Sequence, residues 1–410
     1  MNAGAEKQKT ITDRRKELAH LQIIDRLEVG PVKVEPNRLV APYTVFANGK
    51  QDTIELIYKY EEDVFNPGDG NSETIANMVA AQVAMNYGLF CNRIVFRGVF
   101  DSQDRRFIRD MTENTSREIY VMKLLMPNPF LIKEKIDIPT VVSDKYTQAT
   151  ISFEAGKNGK ESNPWKFWEN SQEEYAILSS GGKDSLLSYG VLEEAGKQVH
   201  PIFINESGRH WFTALNAYRY FKETSKNTGR VWTNADRVFA WMLRHFPFIR
   251  QDFQNVRSDD YPIRLWTVAV FLFGAVPLLY KRKIGRLVIG DEYDSTSRGV
   301  YQGISHYSGL YDQSRYFDSA LTRYFMAKGW SIVQFSILRP LSEMLILKIL
   351  AKRYPHLHEH QVSCHAAHAK DDRIYPCGNC EKCRRIVGML TAIGIDPARC
   401  GYSPEKIDHS

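Results

Sequence analysis

Two groups of residues in this 410-residue chain have the types and spacing to do chemistry. The first is Ser179-Ser180-Gly181-Gly182-Lys183-Asp184-Ser185. Tyr175 to Leu178 before it reads as a buried strand, and the chain from Ser185 onward as a helix. A helix start offers unpaired backbone N–H groups and the positive end of a dipole, and Gly181 and Gly182 carry no side chain to keep a phosphate away. An anion is expected there. The loop is not the commoner phosphate loop, because Ile177 stands where the first glycine of that motif belongs and Asp184 replaces its hydroxyl residue.

The second group is Cys364, Cys377, Cys380 and Cys383, spaced C-x₁₂-C-x₂-C-x₂-C. Three thiolates on one tight loop and a fourth from the preceding segment can close a tetrahedron, which points to structural Zn²⁺. An iron–sulfur cluster uses similar spacings, but Arg384 follows Cys383 where a proline is characteristic. Four thiolates leave no open position for catalysis, so the expected role is to pin the C-terminal segment beside the active site. His365 and His368 are substitutes should Cys364 not ligate, and Cys91 and Cys400 read as plain thiols.

Further candidates lie just after apolar runs. Val199 to Asn205 is a second strand, ending in Asn205-Glu206-Ser207-Gly208-Arg209-His210-Trp211. Arg286 to Ile289 is a third, followed by Gly290-Asp291-Glu292-Tyr293-Asp294. Paired carboxylates beside a phosphate site can hold Mg²⁺, which singles out Asp291 and Glu292 ahead of Asp294. Gly303 to Arg315 is a long polar and aromatic loop that offers His306 and Arg315 for substrate contact. Arg339 and Glu343 flank a helix start and read as a capping or surface pair.

These residues need a scaffold in which strand ends converge. Strand, helix of about a dozen residues, and strand is the βαβ spacing, so the expected fold is α/β with a doubly wound parallel sheet. Ligands then gather at the carboxyl ends of the strands. Before that core, Leu39 to Phe46 and Thr53 to Tyr60 form a hairpin about Asn48-Gly49, Glu73 to Tyr87 a helix, Arg93 to Phe100 a strand and Glu118 to Leu125 a second helix. Glu154 to Gln172 reads as a linker. The expected domains are 1–165, an α+β substrate-recognition part; 166–355, the catalytic core around the phosphate loop; and 356–410, the zinc-binding segment. Trp211 to Tyr280 reads as helical with breaks near Pro247 and Pro262, Trp330 to Leu338 as a strand, and Leu341 to Tyr354 as a helix.

Composition bounds the function. The chain is 43% apolar and 25% charged, with a formal charge of +6. That mild excess suits anionic small molecules, and no basic block suggests a nucleic-acid tail. Leu265 to Tyr280 is shorter than a bilayer span requires and reads as a buried helix. The polar Met1 to Gln22 shows no signal peptide, and the cysteine usage fits a reducing cytoplasm. A homodimer is the assembly left open.

Ser180-Gly-Gly-x-Asp-Ser185 resembles the loop of the PP-loop ATP pyrophosphatases, which cleave ATP between the α and β phosphates. With the cysteine pattern, the chain is similar to two families, 7-cyano-7-deazaguanine synthase (QueC) and the MurL-type UDP-N-acetylmuramoyl-L-alanyl-L-glutamate epimerase. The second likeness rests on Phe335-Ser-x-Leu-Arg-Pro-Leu-Ser-Glu343, Arg353-Tyr-Pro355 and Cys377-Gly-Asn-Cys-x-Lys-Cys383, and it spans roughly Tyr175 to Ala392. These resemblances imply an AMP-forming enzyme that adenylates a substrate carboxylate for amidation, ligation or epimerisation. The Gly181 and Gly182 amides with the Ser180 and Ser185 hydroxyls would hold pyrophosphate, Lys183 and Mg²⁺ would offset its charge, and Asp184 would orient the loop or bind metal. An epimerase would also need a base at the α-carbon, for which His210 and His306 are the candidates. A nucleotide sensor that has lost turnover is the rival reading.

Overall fold

The computed structural model describes residues 17–155, 167–206, 210–256, 261–307, 310–364 and 366–403. Its strands in chain order are β1 (Ile24–Val29), β2 (Lys33–Glu35), β3 (Arg38–Ala47), β4 (Lys50–Tyr60), β5 (Cys91–Arg97), β6 (Thr150–Glu154), β7 (Ser171–Leu178), β8 (Gln198–Glu206), β9 (Gly229–Thr233), β10 (Ile284–Val288), β11 (Arg298–Tyr301), β12 (Ile304–Tyr307), β13 (Val333–Phe335), β14 (His368–Lys370) and β15 (Arg373–Tyr375).

Eleven of these form one sheet in the order β13-β10-β7-β8-β9-β4-β3-β1-β5-β6, with β2 added on β3. From β13 to β9 every pairing is parallel. The order reverses between β7 and β10, where the connection leaves the first strand on one side for β8 and returns on the other for β10. That is the switch point at which open α/β sheets bind ligands.

The parallel sheet expected for the core is present from β13 to β9, but it continues into the N-terminal strands expected to form a separate part, so the whole sheet is mixed. β9 pairs antiparallel with β4, and β4, β3 and β1 are antiparallel in turn before β1, β5 and β6 return to parallel. The β3–β4 hairpin turns at Asn48 and Gly49, both at positive φ, as their dipeptide favours. One sheet therefore runs through both halves of the chain.

Alternation along the parallel strands feeds two cores. Ala176, Ile202 and Leu287 point into the larger one, whereas their neighbours Ile177, Phe203 and Val288 point into the other. Helices Lys183–Glu194, His210–Thr224 and Glu343–Arg353 cover the second face; Ala235–Leu243, Val268–Arg282 and Arg315–Ala327 cover the first. Val268–Arg282 is buried from Ala269 to Leu279 apart from the half-buried Phe271, and each of Leu272, Phe273, Leu278 and Leu279 contributes about 1.5–3 kcal/mol by leaving water. Among the described residues no helix is long and apolar enough to cross a membrane.

The larger core also takes side chains from the N-terminal half. Asn86 accepts from the backbone N–H groups of Leu265 and Trp266, each at 2.9 Å, and Trp266 donates its indole N–H to Gln82 at 3.1 Å. Lys328 meets Asp104 at 2.9 Å in a site closed to solvent.

Candidate active site at the sheet switch point

β7 ends at Leu178 and the chain turns through Ser179 to Gly182 into the helix Lys183–Glu194. Gly182 is the N-cap and no side chain caps this helix start, so its first N–H groups are left for a ligand. Gly181 adopts φ +73°, and a Cβ there would lie 2.7 Å from the Thr213 carbonyl oxygen and 2.8 Å from Ala214 Cα. Only glycine fits this turn. Ser179 and Ser185 are buried beneath it with their hydroxyls 3.3 Å apart, while Ser180 is exposed at its crest.

The Lys183 side chain turns back over the loop among three carboxylates. Its Nζ lies 2.8 Å from Asp184 Oδ1, 3.4 Å from Glu292 Oε2 and 3.4 Å from Glu343 Oε1. Burial pulls its pKa down, but the carboxylates, led by Asp184, outweigh it and hold the ammonium above its ordinary value. Burial raises Asp184 and Glu292 despite Lys183, and Glu343 repels both. Lys183, with Arg385 Nε 3.4 Å from Glu343 Oε1, supplies two cations to three partly buried acids, so the site has room for a further cation, as a phosphate-bound Mg²⁺ would supply.

Asp291 and Glu292 arrive from the carboxyl end of β10, on the other side of the switch point. A Cβ on Gly290 would sit 2.6 Å from Asp184 Cβ, which shows how closely the two loops approach. The two acids do different things. Glu292 faces Lys183, whereas Asp291 is buried and takes Arg339 Nη2 at 3.2 Å. Burial raises the Asp291 pKa well above the usual carboxylate range even against that guanidinium. Arg339 also donates to Asp318 at 2.6 Å, to Ser295 at 2.8 Å and to the Gln313 carbonyl at 2.7 Å.

Arg339 and Glu343 are therefore parts of the site rather than a surface pair. Both follow β13, the fifth parallel strand, and meet the loop only once the sheet is assembled. The remaining sequence candidates are spread out. Asn205 is buried at the end of β8, opposite Trp232. Arg315 is exposed, with its backbone N–H 3.4 Å from Thr296 Oγ1 beside the Arg339 network. His306 is buried in the β11–β12 hairpin, its Nδ1 3.0 Å from the Tyr307 carbonyl and its ring within electrostatic reach of Glu118. His210 opens the helix His210–Thr224; residues 207–209 and the His210 side chain lie outside the described part, as does His365.

The four cysteines converge. The Sγ atoms of Cys364, Cys377, Cys380 and Cys383 lie within 4.8 Å of one another, with 3.4 Å between Cys380 and Cys383, 3.9 Å between Cys377 and Cys383 and 4.0 Å between Cys380 and Cys364. Tetrahedral zinc–thiolate bonds place sulfurs about 3.8 Å apart, so the donor set fits a metal ion. The Cys383 thiol draws Cys364 below the usual thiol range, and the Cys377 and Ala366 amides assist against burial. This knuckle touches the loop directly, since Val362 N–H donates to the Gly181 carbonyl at 3.4 Å.

No known family model matches the sequence. A curated relative, the 7-cyano-7-deazaguanine synthase of Chlorobium luteolum, is 26% identical over 243 residues, which span 57% of this chain and 98% of the relative. The chain thus shows distant homology, at low identity, to 7-cyano-7-deazaguanine synthase. A PP-loop assignment accords with the uncapped helix start, the Gly181 turn and the Lys183 clamp at the switch point. Among solved structures, a predicted tRNA methyltransferase subunit from Methanocaldococcus jannaschii covers 55% of this chain and 91% of its own, at 16% identity and a TM-score of 0.28. That likeness is too distant to inform the site.

Proposed function

We propose that the protein is an ATP-dependent, AMP-forming enzyme that adenylates a substrate carboxylate. The observation that carries this reading is the uncapped start of the helix Lys183–Glu194, opening beside Lys183 and the Asp184–Glu292–Glu343 carboxylates. The substrate carboxylate attacks the α-phosphorus, the bond to the β,γ-pyrophosphate breaks, and an acyl adenylate remains. Loop amides at Gly182 and Lys183 and the Ser180 hydroxyl receive the departing pyrophosphate, while the Gly181 N–H is held by Ser179 Oγ at 3.4 Å and the Ser185 hydroxyl by the Gly182 carbonyl at 3.1 Å. Lys183 moves from Glu343 and Glu292 toward that growing charge, and Asp184 with Glu292 would hold Mg²⁺ against the phosphates, whose charge the ion offsets. Asp291, already engaged by Arg339, acts as a brace for the acidic loop. Zn²⁺ in the four-thiolate knuckle has a structural part.

The acyl adenylate then meets a nitrogen nucleophile or loses its α-proton, because AMP makes the acyl centre both electrophilic and more acidic. A MurL-type epimerase of a UDP-linked muramoyl dipeptide is the second reading. It is supported by the residues that carry that resemblance, Phe335-Ser-x-Leu-Arg-Pro-Leu-Ser-Glu343, Arg353-Tyr-Pro355 and Cys377-Gly-Asn-Cys-x-Lys-Cys383. A thiol-relay enzyme is disfavoured. Outside the knuckle, the described cysteines are Cys91 and Cys400, both buried, with burial raising the first well above the usual thiol range and the second to about 12.

Mass spectrometry of AMP-linked species, after incubation with ATP, Mg²⁺ and cell extract, tests the proposal. The native protein should yield an acyl adenylate that Asp184→Ala does not. Tight ATP binding with no turnover of any carboxylate pool would instead favour a nucleotide sensor.

A further inference from the structure

Three contacts join the cysteine knuckle to the phosphate loop, from three directions. Val362 N–H reaches the Gly181 carbonyl at 3.4 Å. The buried Asn216 accepts from Ile374 N–H and donates to the Ile374 carbonyl, both at 2.9 Å, which ties β15 of the knuckle to the helix His210–Thr224. Thr213 and Ala214 of that helix form the wall against which Gly181 turns. Finally, Arg385 Nε lies 3.4 Å from Glu343 Oε1, the same oxygen that is 3.4 Å from Lys183 Nζ.

Arg385 is borne by the helix Glu381–Ala392, whose N-cap is Cys380 and whose first turn holds Cys383. Two of the four thiolates thus fix the helix that carries this guanidinium. Glu343 is a carboxylate shared by two cations. While Arg385 takes part of its charge, Lys183 is less tightly held and can turn to an incoming phosphate; without Arg385, Glu343 and Lys183 close on each other.

We propose that Arg385 is a positioning residue for Lys183, and that metal loading of the four-cysteine knuckle sets the affinity of the phosphate loop through it. The proposal rests on the reading of that loop as a nucleotide site. Coupling between the two sites is reciprocal, so pyrophosphate also tightens metal binding at equilibrium by the same factor.

The test uses the full chain, zinc-loaded or stripped with a chelator, and titrates pyrophosphate and α,β-methylene-ATP by calorimetry with metal content measured in parallel. Stripping weakens both probes about tenfold. Arg385→Met reproduces most of that loss with zinc content unchanged, Arg385→Lys restores much of it, and stripping Arg385→Met adds little. At equilibrium with a chromogenic chelator, the native chain retains more zinc when pyrophosphate is bound, relative to Arg385→Met at the same pyrophosphate concentration, a readout independent of turnover. Equal affinity of loaded Arg385→Met and native protein overturns the proposal, even should stripped protein unfold. Failure of the loaded native protein to bind either probe overturns the nucleotide reading along with it.

Discussion

Lys183 Nζ lies 3.4 Å from Glu343 Oε1, so the loop after the first parallel strand and the helix after the fifth share one ion pair. The contact spans the switch point, and with Asp184 and Glu292 it surrounds a single ammonium with acid. Such an arrangement is poor for stability alone, because partly buried carboxylates without enough partners are costly. It suits a site that receives both a polyanion and its cation.

Replacing Lys183 by Met should lower the rate of pyrophosphate formation about 100- to 1,000-fold, the usual range for losing one group that stabilises developing charge. A coupled pyrophosphate assay measures this, with a thermal melt run alongside to separate folding from rate. A rate within threefold or so of the native would remove Lys183 from the chemistry.

Gly290→Ala tests the closeness of the two loops. The new methyl would meet Asp184 Cβ at 2.6 Å, and a Cβ cannot swing aside as a long side chain can. About 1–3 kcal/mol of stability should be lost in denaturant unfolding, with weaker ATP binding. Unchanged affinity would mean that the loops separate when nucleotide is bound.

Arg339→Met leaves Asp291 and Asp318 buried without their shared guanidinium. The expected loss is about 3–5 kcal/mol. Arg339→Lys should recover only part of it, because one ammonium cannot replace donors directed at Asp291, Asp318, Ser295 and the Gln313 carbonyl together. The double variant Arg339→Met/Asp318→Asn should be more stable than Arg339→Met; if it is not, the pair contributes through packing.

His358 predicts a pH dependence. It is fully buried against Cys400, with 3.2 Å between Nε2 and Sγ, and burial, aided by Arg399, lowers its pKa to about 4. The unfolded imidazole titrates near its ordinary value of 6.5, so the unfolded chain binds the proton first as pH falls. Stability from this group is complete above about 6.5 and declines toward pH 4, by roughly 3 kcal/mol over the window. His358→Gln should flatten that part of the stability profile between pH 7.5 and 4.5, and an unchanged slope would assign the acid sensitivity to the buried carboxylates.

Much of the C-terminal half is legible because its signals are local. The strand, glycine pair and helix at Tyr175 to Tyr189 lie within one short stretch, and the hairpin at Asn48-Gly49 is written in two residues. β9 was not legible: Gly229 to Thr233 is short, and it lies between two helices whose longer periodicity absorbed it. The helix Ser102–Ile119 was read only at its end, because Arg105, Arg106, Arg109 and Asp110 leave a narrow apolar stripe of Phe107, Ile108 and Met111. Arg339 and Glu343, which read as a capping or surface pair, carry a signal for the site as well. Both follow a predicted parallel strand, and the rule that placed Asp291 at a strand's carboxyl end applies equally to them. The antiparallel seam between β4 and β9 depends on pairing distant segments, and no pattern within either strand specifies its partner.

The most direct measurement is ATP–pyrophosphate exchange with candidate carboxylates, since it reports the first half-reaction without knowledge of the second. The account predicts carboxylate-dependent exchange of labelled pyrophosphate into ATP, abolished in Asp184→Ala, with AMP as the nucleotide product of full turnover. Formation of ADP and orthophosphate, with no exchange, would place the cleavage at the wrong phosphate bond and contradict the account.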